Sequence, residues 1–333
     1  MAMKKFINDP NNLTAELLDG MCTAFADKLT LVNEKLVCRA NPKDESKVAI
    51  VTLGGSGHEP ALQAFVGEGL IDISVVGDIF AAPGPPQVIE ALRMMNREAG
   101  VLFVVLNHAG DVMSANMAME MVEAEGLNVR MILTHEDIAP GADAPAEDKR
   151  GLVGCIPLYK VAGAAAEAGK SLDEVYAIAE RFNDNMATLA VAMKTATHPQ
   201  NGAEIAQIAD DEMEIGMGQH GEAGTGPCKI MTADETAKVM VERLIPAIGA
   251  ASGDKVLLVV NGSGATTHME MFIVYRAARK ILTDAGIEVA CSMVGEYLTV
   301  QEMGGFQMFL AKMDDELIDL FNAPCDSPYW TVR

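Results

Sequence analysis

The chain has 333 residues, of which half are hydrophobic, and its formal net charge at neutral pH is −22. This length suggests about two domains, while so acidic a surface repels phosphate backbones and anionic lipids and argues against nucleic acid or membrane partners. Six scattered cysteines without a CxxC pair argue against a zinc finger, and the lack of an apolar segment after the first lysines argues against a signal peptide, so we expect a cytoplasmic protein with free thiols.

The first half of the sequence alternates short apolar runs with helical patterns. Strands are predicted at residues 47–52, 73–76, 101–106 and 129–133, and helices at 59–68, 86–98, 112–125, 156–168 and 171–183. The helix at 59–68 is predicted to begin with Pro60 in its first turn, and Ser171 with Glu174 forms a capping-box pattern. Residues 135–150 are predicted to cross the surface as a loop. Repeated strand–loop–helix units predict a parallel sheet covered by helices on both faces.

The pattern changes near residue 184, where we place a domain boundary. Further along the chain, strands are predicted at residues 187–193, 213–217, 255–260, 288–293 and 308–312, and helices at 232–248 and 268–285. We therefore predict two α/β domains, residues 1–184 and 185–333, each with a largely parallel or mixed sheet flanked by helices.

Three predicted strands end in polar loops that contain glycine. These are VTLGGSGHEP (51–60), VVLNHAGD (104–111) and VVNGSGATTHME (259–270). Ligands of open α/β sheets bind at such strand ends, but no loop matches a Walker A motif or the GxGxxG fingerprint, so no nucleotide site is predicted. We expect the backbone amides of Gly55 and Ser56 to face a ligand oxygen, although a tight turn that binds nothing explains these glycines equally well.

Two histidines lie in glycine-rich loops of the two predicted domains. His58 and His220 together indicate a cleft in which an imidazole acts as an acid, a base or a nucleophile. Asp111 suits a general base toward a hydroxyl group, and a role at a helix N-terminus explains it as well. A metal site formed by these histidines with Glu59 and Glu222 ranks below an organic ligand, because the spacing is not HExxH and the loops are distant in sequence.

Five motifs occur in order along nearly the whole chain. They are MKKFINDP (3–10), GGSGHEP (54–60), GDIFAAPGP (77–85), NHAGD (107–111) and EIGMGQHGEAG (214–224). Together they resemble the substrate-binding subunit of bacterial dihydroxyacetone kinases, and the combination of GSGHEP with GxGxHGE is specific. The resemblance implies a homodimer of two-domain α/β chains with a fold of the dihydroxyacetone kinase K-domain and DegV-like type.

The resemblance also implies a function and a set of site residues. A short ketose such as dihydroxyacetone would be held as a covalent hemiaminal on His220. Asp111 would take the proton from the hydroxyl that is phosphorylated, and His58 would bond the oxygen derived from the carbonyl, with Gly55 in the same pocket. The phosphate donor would belong to a separate, L-type kinase subunit that holds ADP or ATP with Mg and is linked to the phosphotransferase system or uses ATP directly. No cofactor or metal is then expected on this chain, which would be inactive alone.

Several positions depart from the family pattern. Leu106, a predicted substrate-contact position, stands where the family usually has a lysine near the substrate hydroxyls, and His108 stands where an aromatic residue is usual. Leu53 heads a glycine run that is one residue shorter, and Ala223 replaces a common proline. Three alternatives therefore remain open: a kinase subunit for a tetrulose such as erythrulose, a ketose-binding coactivator that contacts a transcription factor, and a protein that binds an unrelated metabolite or a metal.

Overall fold

The computed structural model describes residues 4–333, so the first three residues of the predicted domain 1–184, and with them Met3 of the MKKFINDP motif, lie outside it. The described part contains eight α-helices, two six-stranded sheets and a small two-stranded sheet. Across these residues, no helix combines the length and apolarity that crossing a membrane requires.

The first sheet has the strand order β1-β2-β4-β3-β5-β6. In chain order from β1 to β6, the strands are Leu29–Val32, Leu36–Arg39, Ala49–Ser56, Ile73–Ile79, Val101–Leu106 and Val129–Thr134. Strands β4, β3, β5 and β6 run parallel, whereas β1 and β2 add an antiparallel hairpin at one edge. Strand β5 is buried along its whole length, because helices cover both faces of the sheet. This confirms the parallel arrangement that was predicted for the first half.

The second sheet has the strand order β11-β10-β12-β7-β8-β9. In chain order from β7 to β12, the strands are Met186–Lys194, Glu212–Ile215, Pro227–Lys229, Lys255–Gly262, Glu288–Gly295 and Gly304–Met313. Strands β10 and β11 run parallel, and the other neighbouring pairs run antiparallel. The mixed α/β class is therefore confirmed. Strands β13, Cys325–Asp326, and β14, Thr331–Val332, form the two-stranded sheet.

The helices form three layers around the two sheets. From α1 to α8 they are Leu13–Ala24, Pro85–Met94, Ala109–Ala124, Cys155–Glu167, Leu172–Asp184, Ala233–Ala247, His268–Asp284 and Asp315–Asn322. Helices α2 and α3 cover the outer face of the first sheet, and α6 and α7 cover the outer face of the second. Helices α1, α4, α5 and α8 pack between the sheets. Every residue of α4 except Glu167 is buried, as expected for a helix that is apolar on all sides.

The largest hydrophobic cluster joins the two sheets. It contains Ile50 and Val104 from the first sheet and Leu257 and Phe309 from the second, together with the helices between them. The two halves thus share a core instead of meeting at a solvated linker. A division at residue 184, between α5 and β7, stays a prediction.

The helix predicted for residues 59–68 is wrong. This segment contains a single 3-10 turn, Gln63–Phe65, within an irregular stretch. Thr299 explains the difference: its backbone N–H donates to the carbonyl of His58 at 3.1 Å, and its hydroxyl donates to the carbonyl of Glu59 at 2.7 Å. Tertiary hydrogen bonds to the second half of the chain therefore take the carbonyl groups that a helix would have used.

Candidate functional site

A cavity lies where the ends of β3, β4 and β5 meet the loop that follows β8. Its walls are formed by Leu53, Gly54, Gly55, His58, Leu62, Phe80, Ala81, Ala82, Leu106, His108, Ala109, Gly110, Asp111, Gln219, His220, Glu222 and Leu298. Because β4, β3 and β5 are parallel neighbours, their carboxyl ends open at the same edge of the sheet, where α/β proteins bind ligands. The structure thus brings the predicted residues His58, Asp111 and His220 into one cavity.

His58 is buried, and its tautomer follows from its hydrogen bonds. Its Nδ1 lies 2.8 Å from the backbone carbonyl oxygen of Thr299, which can only accept, so Nδ1 carries the proton. Its Nε2 therefore has a free lone pair and lies 3.2 Å from Nε2 of His220. Burial, followed by the neighbouring His220, lowers the pKa of His58 to about 3, so this imidazole is neutral at physiological pH.

His220 is held by the carboxylate of Glu222. The backbone N–H of His220 donates to Oε2 at 2.8 Å, and its Nδ1 lies 3.3 Å from Oε1. Burial by itself raises the pKa of Glu222, but the hydrogen bond and charge of His220 outweigh it and hold that pKa well below its usual range. Gly221 has φ 81°, which allows the chain to turn back so that the carboxylate reaches the ring.

The protons available to His220 limit what it can do. A neutral imidazole carries one N–H, and the ionised Glu222 attracts it to Nδ1. Nε2 of His220 then has a lone pair and faces the lone pair of His58 at 3.2 Å. This arrangement leaves an unpaired nucleophilic nitrogen next to a hydrogen-bond acceptor, which is a setting for adding to an electrophilic carbon.

Asp111 lies in the first turn of α3, at the cavity wall. Its Oδ1 is buried and has no hydrogen-bond partner among residues 4–333, and the same holds for Nε2 of Gln219. Burial raises the pKa of Asp111 to about 7, with the charge of His220 acting in the opposite direction. Unpaired buried polar atoms on a cavity wall indicate that a polar ligand completes them.

The structure brings two of the three predicted substrate-contact residues to the cavity. Gly55 lines it, and a side chain there would lie 2.8 Å from the backbone nitrogen of Ala81, so glycine is required. Leu106 also lines it and is nearly buried. Ser56 does not line it: this residue ends β3, and its hydroxyl donates to the carbonyl of Gly77 at 2.8 Å.

Glu59 and His268, which also belong to the glycine-containing loops, have local structural roles. Both carboxylate oxygens of Glu59 accept from the backbone N–H of Gly57 at 3.1 Å, and Oε1 also accepts from Gln63. His268, from the third glycine-containing loop, begins α7 beside a capping box and does not line the cavity.

The sequence did not identify two aromatic rings at the site. Phe80 follows β4 with φ 55°, and its ring centroid lies 5.2 Å from that of His58 and 5.6 Å from that of His220. His108 lies 5.3 Å from His220 by ring centroids, and its Nε2 is 2.9 Å from the carbonyl oxygen of Gly151. Both residues belong to quoted motifs, but nothing in their spacing shows that they face His220.

One group within the described residues has the geometry to hold a metal ion. His108, His220 and Glu222 each offer one ligand atom, and these atoms lie within 4.8 Å of one another. Burial, followed by the neighbouring His220, lowers the pKa of His108 to about 4, which keeps its imidazole neutral.

Comparisons with known proteins find one family along most of the chain. The Dak1 domain model matches residues 19–329. A dihydroxyacetone-binding subunit of a phosphotransferase-system-dependent dihydroxyacetone kinase from Listeria innocua is 37% identical and is matched over 98% of this chain and 100% of its own. An L-erythrulose kinase from Pectobacterium atrosepticum is 35% identical over 98% of this chain, which spans 56% of that enzyme.

Solved structures show the same relationship. A dihydroxyacetone kinase operon co-activator, DhaQ, superposes with a TM-score of 0.90 at 30% identity, covering 96% of this chain and 98% of that one. A DegV family protein from Corynebacterium glutamicum, 11% identical with a TM-score of 0.53 over 80% of this chain and 98% of that one, shares the fold alone. The chain therefore belongs to the Dak1 family, whose members include the dihydroxyacetone-binding subunits of bacterial dihydroxyacetone kinases.

Proposed function

We propose that this chain is the ketose-binding subunit of a dihydroxyacetone-type kinase. It binds dihydroxyacetone or a related short ketose as a hemiaminal on Nε2 of His220. The observation that carries this proposal is the single cavity shared by His58, Asp111 and His220, in which Nε2 of His220 lies 3.2 Å from Nε2 of His58. The names of the relatives support the substrate class.

The addition step is balanced by groups already in the cavity. Nε2 of His220 forms a bond to the carbonyl carbon, and the carbonyl oxygen becomes a hydroxyl group. The ring of His220 loses its Nδ1 proton and this oxygen gains one proton, so the number of protons does not change. Glu222 stabilises the His220 ring while the ring carries a positive charge. The neutral His58 then accepts a hydrogen bond from the new hydroxyl through its free Nε2. Since only a carbonyl carbon can be attacked in this way, glycerol is rejected chemically.

Asp111 is the proposed base for phosphoryl transfer. Its pKa of about 7 is matched to proton removal near neutral pH, and its Oδ1 has no other partner among the described residues. The covalent bond to His220 holds the reacting hydroxyl beside this carboxylate, which replaces a bimolecular encounter by an oriented one.

The phosphate donor is proposed to reside on a partner. Because the sequence contains no nucleotide motif, we assign ADP or ATP with Mg to a separate L-type kinase subunit. That subunit either holds ADP that the phosphotransferase system rephosphorylates or uses ATP directly. This chain is then inactive alone, works as a homodimer and resides in the cytoplasm.

Intact-protein mass spectrometry with a panel of C3 to C5 ketoses tests the proposal. No borohydride is added, since the hemiaminal is reversible and a reductive trap would miss it. The proposal requires a mass increase equal to one ketose in the wild type and none in His220→Ala. Phosphorylation of dihydroxyacetone by the isolated chain with ATP would contradict the two-subunit arrangement.

A second candidate function is a ketose-sensing coactivator. The likeness to the operon co-activator structure, at 30% identity and a TM-score of 0.90, favours it. Leu106 lines the cavity where the family pattern has a lysine, so a polar contact to the ketose is absent. This difference favours either the coactivator function or a tetrulose substrate such as erythrulose. Mixing the chain with a nucleotide-loaded kinase subunit distinguishes them, because a coactivator forms the ketose adduct without turnover.

A further inference from the structure

We propose that His108, His220 and Glu222 form a binding site for a divalent transition metal ion, best suited to Zn²⁺, and that metal binding and ketose capture exclude each other. The three side chains come from β5–α3 of the first half and from the loop after β8 of the second. The sequence could not show this set, because His108 and His220 are far apart along the chain.

The separations fit one metal ion. Two ligand atoms bound to a tetrahedral zinc ion at roughly 2.0–2.2 Å lie about 3.3–3.6 Å apart, and Nδ1 of His220 lies 3.3 Å from Oε1 of Glu222. One ligand atom of each side chain lies within 4.8 Å of the other two, so small side-chain movements are enough to bring all three to one ion. Two imidazoles and one carboxylate are a common zinc donor set that leaves a fourth position for water.

The outer hydrogen bonds prepare the two imidazoles as ligands. Nε2 of His108 donates to the carbonyl of Gly151 at 2.9 Å, which leaves Nδ1 with the lone pair that a metal needs. Metal-bound histidines usually donate their second N–H in this way. Glu222 is held by the backbone N–H of His220 at 2.8 Å through Oε2, so Oε1 remains free for the metal.

A metal on Nδ1 of His220 also satisfies the contact between His220 and His58. Nε2 of His220 must then carry the proton, and it donates that proton to Nε2 of His58, 3.2 Å away. The Nδ1 of His58 in turn donates to the carbonyl of Thr299 at 2.8 Å. Every nitrogen in this chain of contacts then has a partner of the right kind, which a neutral, metal-free His220 cannot achieve.

The charges around the site are mixed. Glu222 contributes a carboxylate, and His108 and His220 contribute imidazole nitrogens. Arg150 opposes a cation, since its Nη1 lies 3.9 Å from Oε2 of Glu222, but it is paired with the buried Asp137 at 2.6 Å. The site therefore offers one carboxylate charge to a dication, and Arg150 offsets part of it.

Exclusion of the ketose follows from the same atoms. With the metal on Nδ1, the lone pair of Nε2 in His220 is lost to a proton, and this nitrogen can no longer add to a carbonyl carbon. The exclusion rests on the proposed function, whereas metal binding itself does not.

Calorimetric titration of the full-length, chelator-treated protein with Zn²⁺ tests the site, and Co²⁺ provides a visible absorption band of a bound ion. One equivalent is expected to bind to the wild type. His108→Phe and Glu222→Gln should each weaken binding roughly tenfold or more, while His268→Ala, a histidine outside the cavity, should not. No binding, or equal binding by both variants and wild type, would overturn the proposal.

Crystals of the wild type soaked with Zn²⁺ give a second measurement that does not depend on the folding of a variant. An anomalous peak between the three side chains supports the site, and a peak found only elsewhere overturns it.

The mass of the ketose adduct, measured with and without Zn²⁺, tests whether metal binding and ketose capture exclude each other. Loss of the adduct on adding Zn²⁺ supports it, and an undiminished adduct with the metal bound overturns it. A missing adduct in metal-free protein would instead reject the proposed function and leave the metal site standing.

Discussion

The Nε2 atoms of His58 and His220, which are 162 residues apart in sequence, lie 3.2 Å apart in the folded chain. Two neutral imidazoles can share one proton at this distance but cannot both accept. Since His58 is fixed as an acceptor by Thr299, the contact is satisfied only if His220 donates or if a ligand hydroxyl enters between the rings. This pair is therefore the point at which the cavity is incomplete without a ligand.

The first prediction concerns the different roles of His58 and His220. His220→Ala should abolish the ketose adduct, because it removes the nucleophile. His58→Ala should leave the adduct detectable but weaken it roughly tenfold, the value of one hydrogen bond to a polar oxygen. Adduct yield at several ketose concentrations, read by intact mass, measures both, and His268→Ala is the matched control. An adduct that survives His220→Ala would move the nucleophile elsewhere.

The second prediction concerns Glu222, which acts through His220. Glu222→Gln retains the shape of the side chain but removes the charge that draws the proton to Nδ1, so Nε2 is protonated more often and the rate of adduct formation should fall by roughly tenfold or more. A positioning role predicts that the pH dependence of adduct formation changes as well. An unchanged pH profile with a lower yield would indicate that Glu222 only supports the loop.

The third prediction concerns Asp111 and the direction in which pH changes the stability of the fold. Its folded pKa of about 7 lies above the usual value of about 3.9, so the folded state holds this proton more tightly. The stabilisation is present below pH ~4 and is lost as the pH rises to about 7. Asp111→Asn cannot ionise, so at pH 8 it should be more stable than the wild type by on the order of 1–3 kcal/mol, with little difference at pH 4.

Urea unfolding at pH 4 and pH 8 measures this difference for Asp111→Asn. The same variant should still form the ketose adduct, since the nucleophile is intact, but should lose phosphoryl transfer with the kinase subunit. Equal stability of the two proteins at pH 8 would show that Asp111 is not desolvated, and full turnover by the variant would remove it as the base.

How much of this site the sequence could show depends on how each residue is positioned. His58, Asp111 and His220 lie beside glycines at strand ends, which is a local pattern, and strand β5 was predicted with its observed bounds because buried parallel strands are continuous apolar runs. Phe80 and His108 also follow strand ends of the first sheet, but their contacts with His220 depend on how the two halves pack, and no local spacing records that packing.

The wrongly predicted helix has the same origin. Residues 59–68 carry a helix-like sequence with Pro60 near its start, yet hydrogen bonds from Thr299 hold them in an irregular path. The second sheet is mixed, which the prediction included, because β12 pairs antiparallel with both β7 and β10. Neither strand order nor direction can be read from apolar periodicity alone. The capping box of Ser171 with Glu174, a purely local feature, was predicted and is present.

The fourth prediction concerns Leu106, which lines the cavity where the resemblance implies a lysine. Leu106→Lys should tighten dihydroxyacetone binding by roughly tenfold, because an ammonium group hydrogen-bonds the substrate hydroxyls. It should also lower the thermal midpoint, since the position is nearly buried. Leu106→Met, of similar volume and without a donor, is the control. If both variants bind dihydroxyacetone and erythrulose like the wild type, this position does not contact the ketose.

The fifth prediction concerns the core that the two sheets share. Phe309 of β12 packs in the same cluster as Ile50 of β3, so the sheets should unfold together although the sequence suggests two domains. Phe309→Ala should lower the free energy of unfolding by about 3–5 kcal/mol, and hydrogen exchange should quicken in β5 and β10 alike. Phe6→Ala, at an exposed position, is the control. Faster exchange confined to the second sheet would show that the halves are separate folding units, and residues 185–333 alone should then unfold cooperatively.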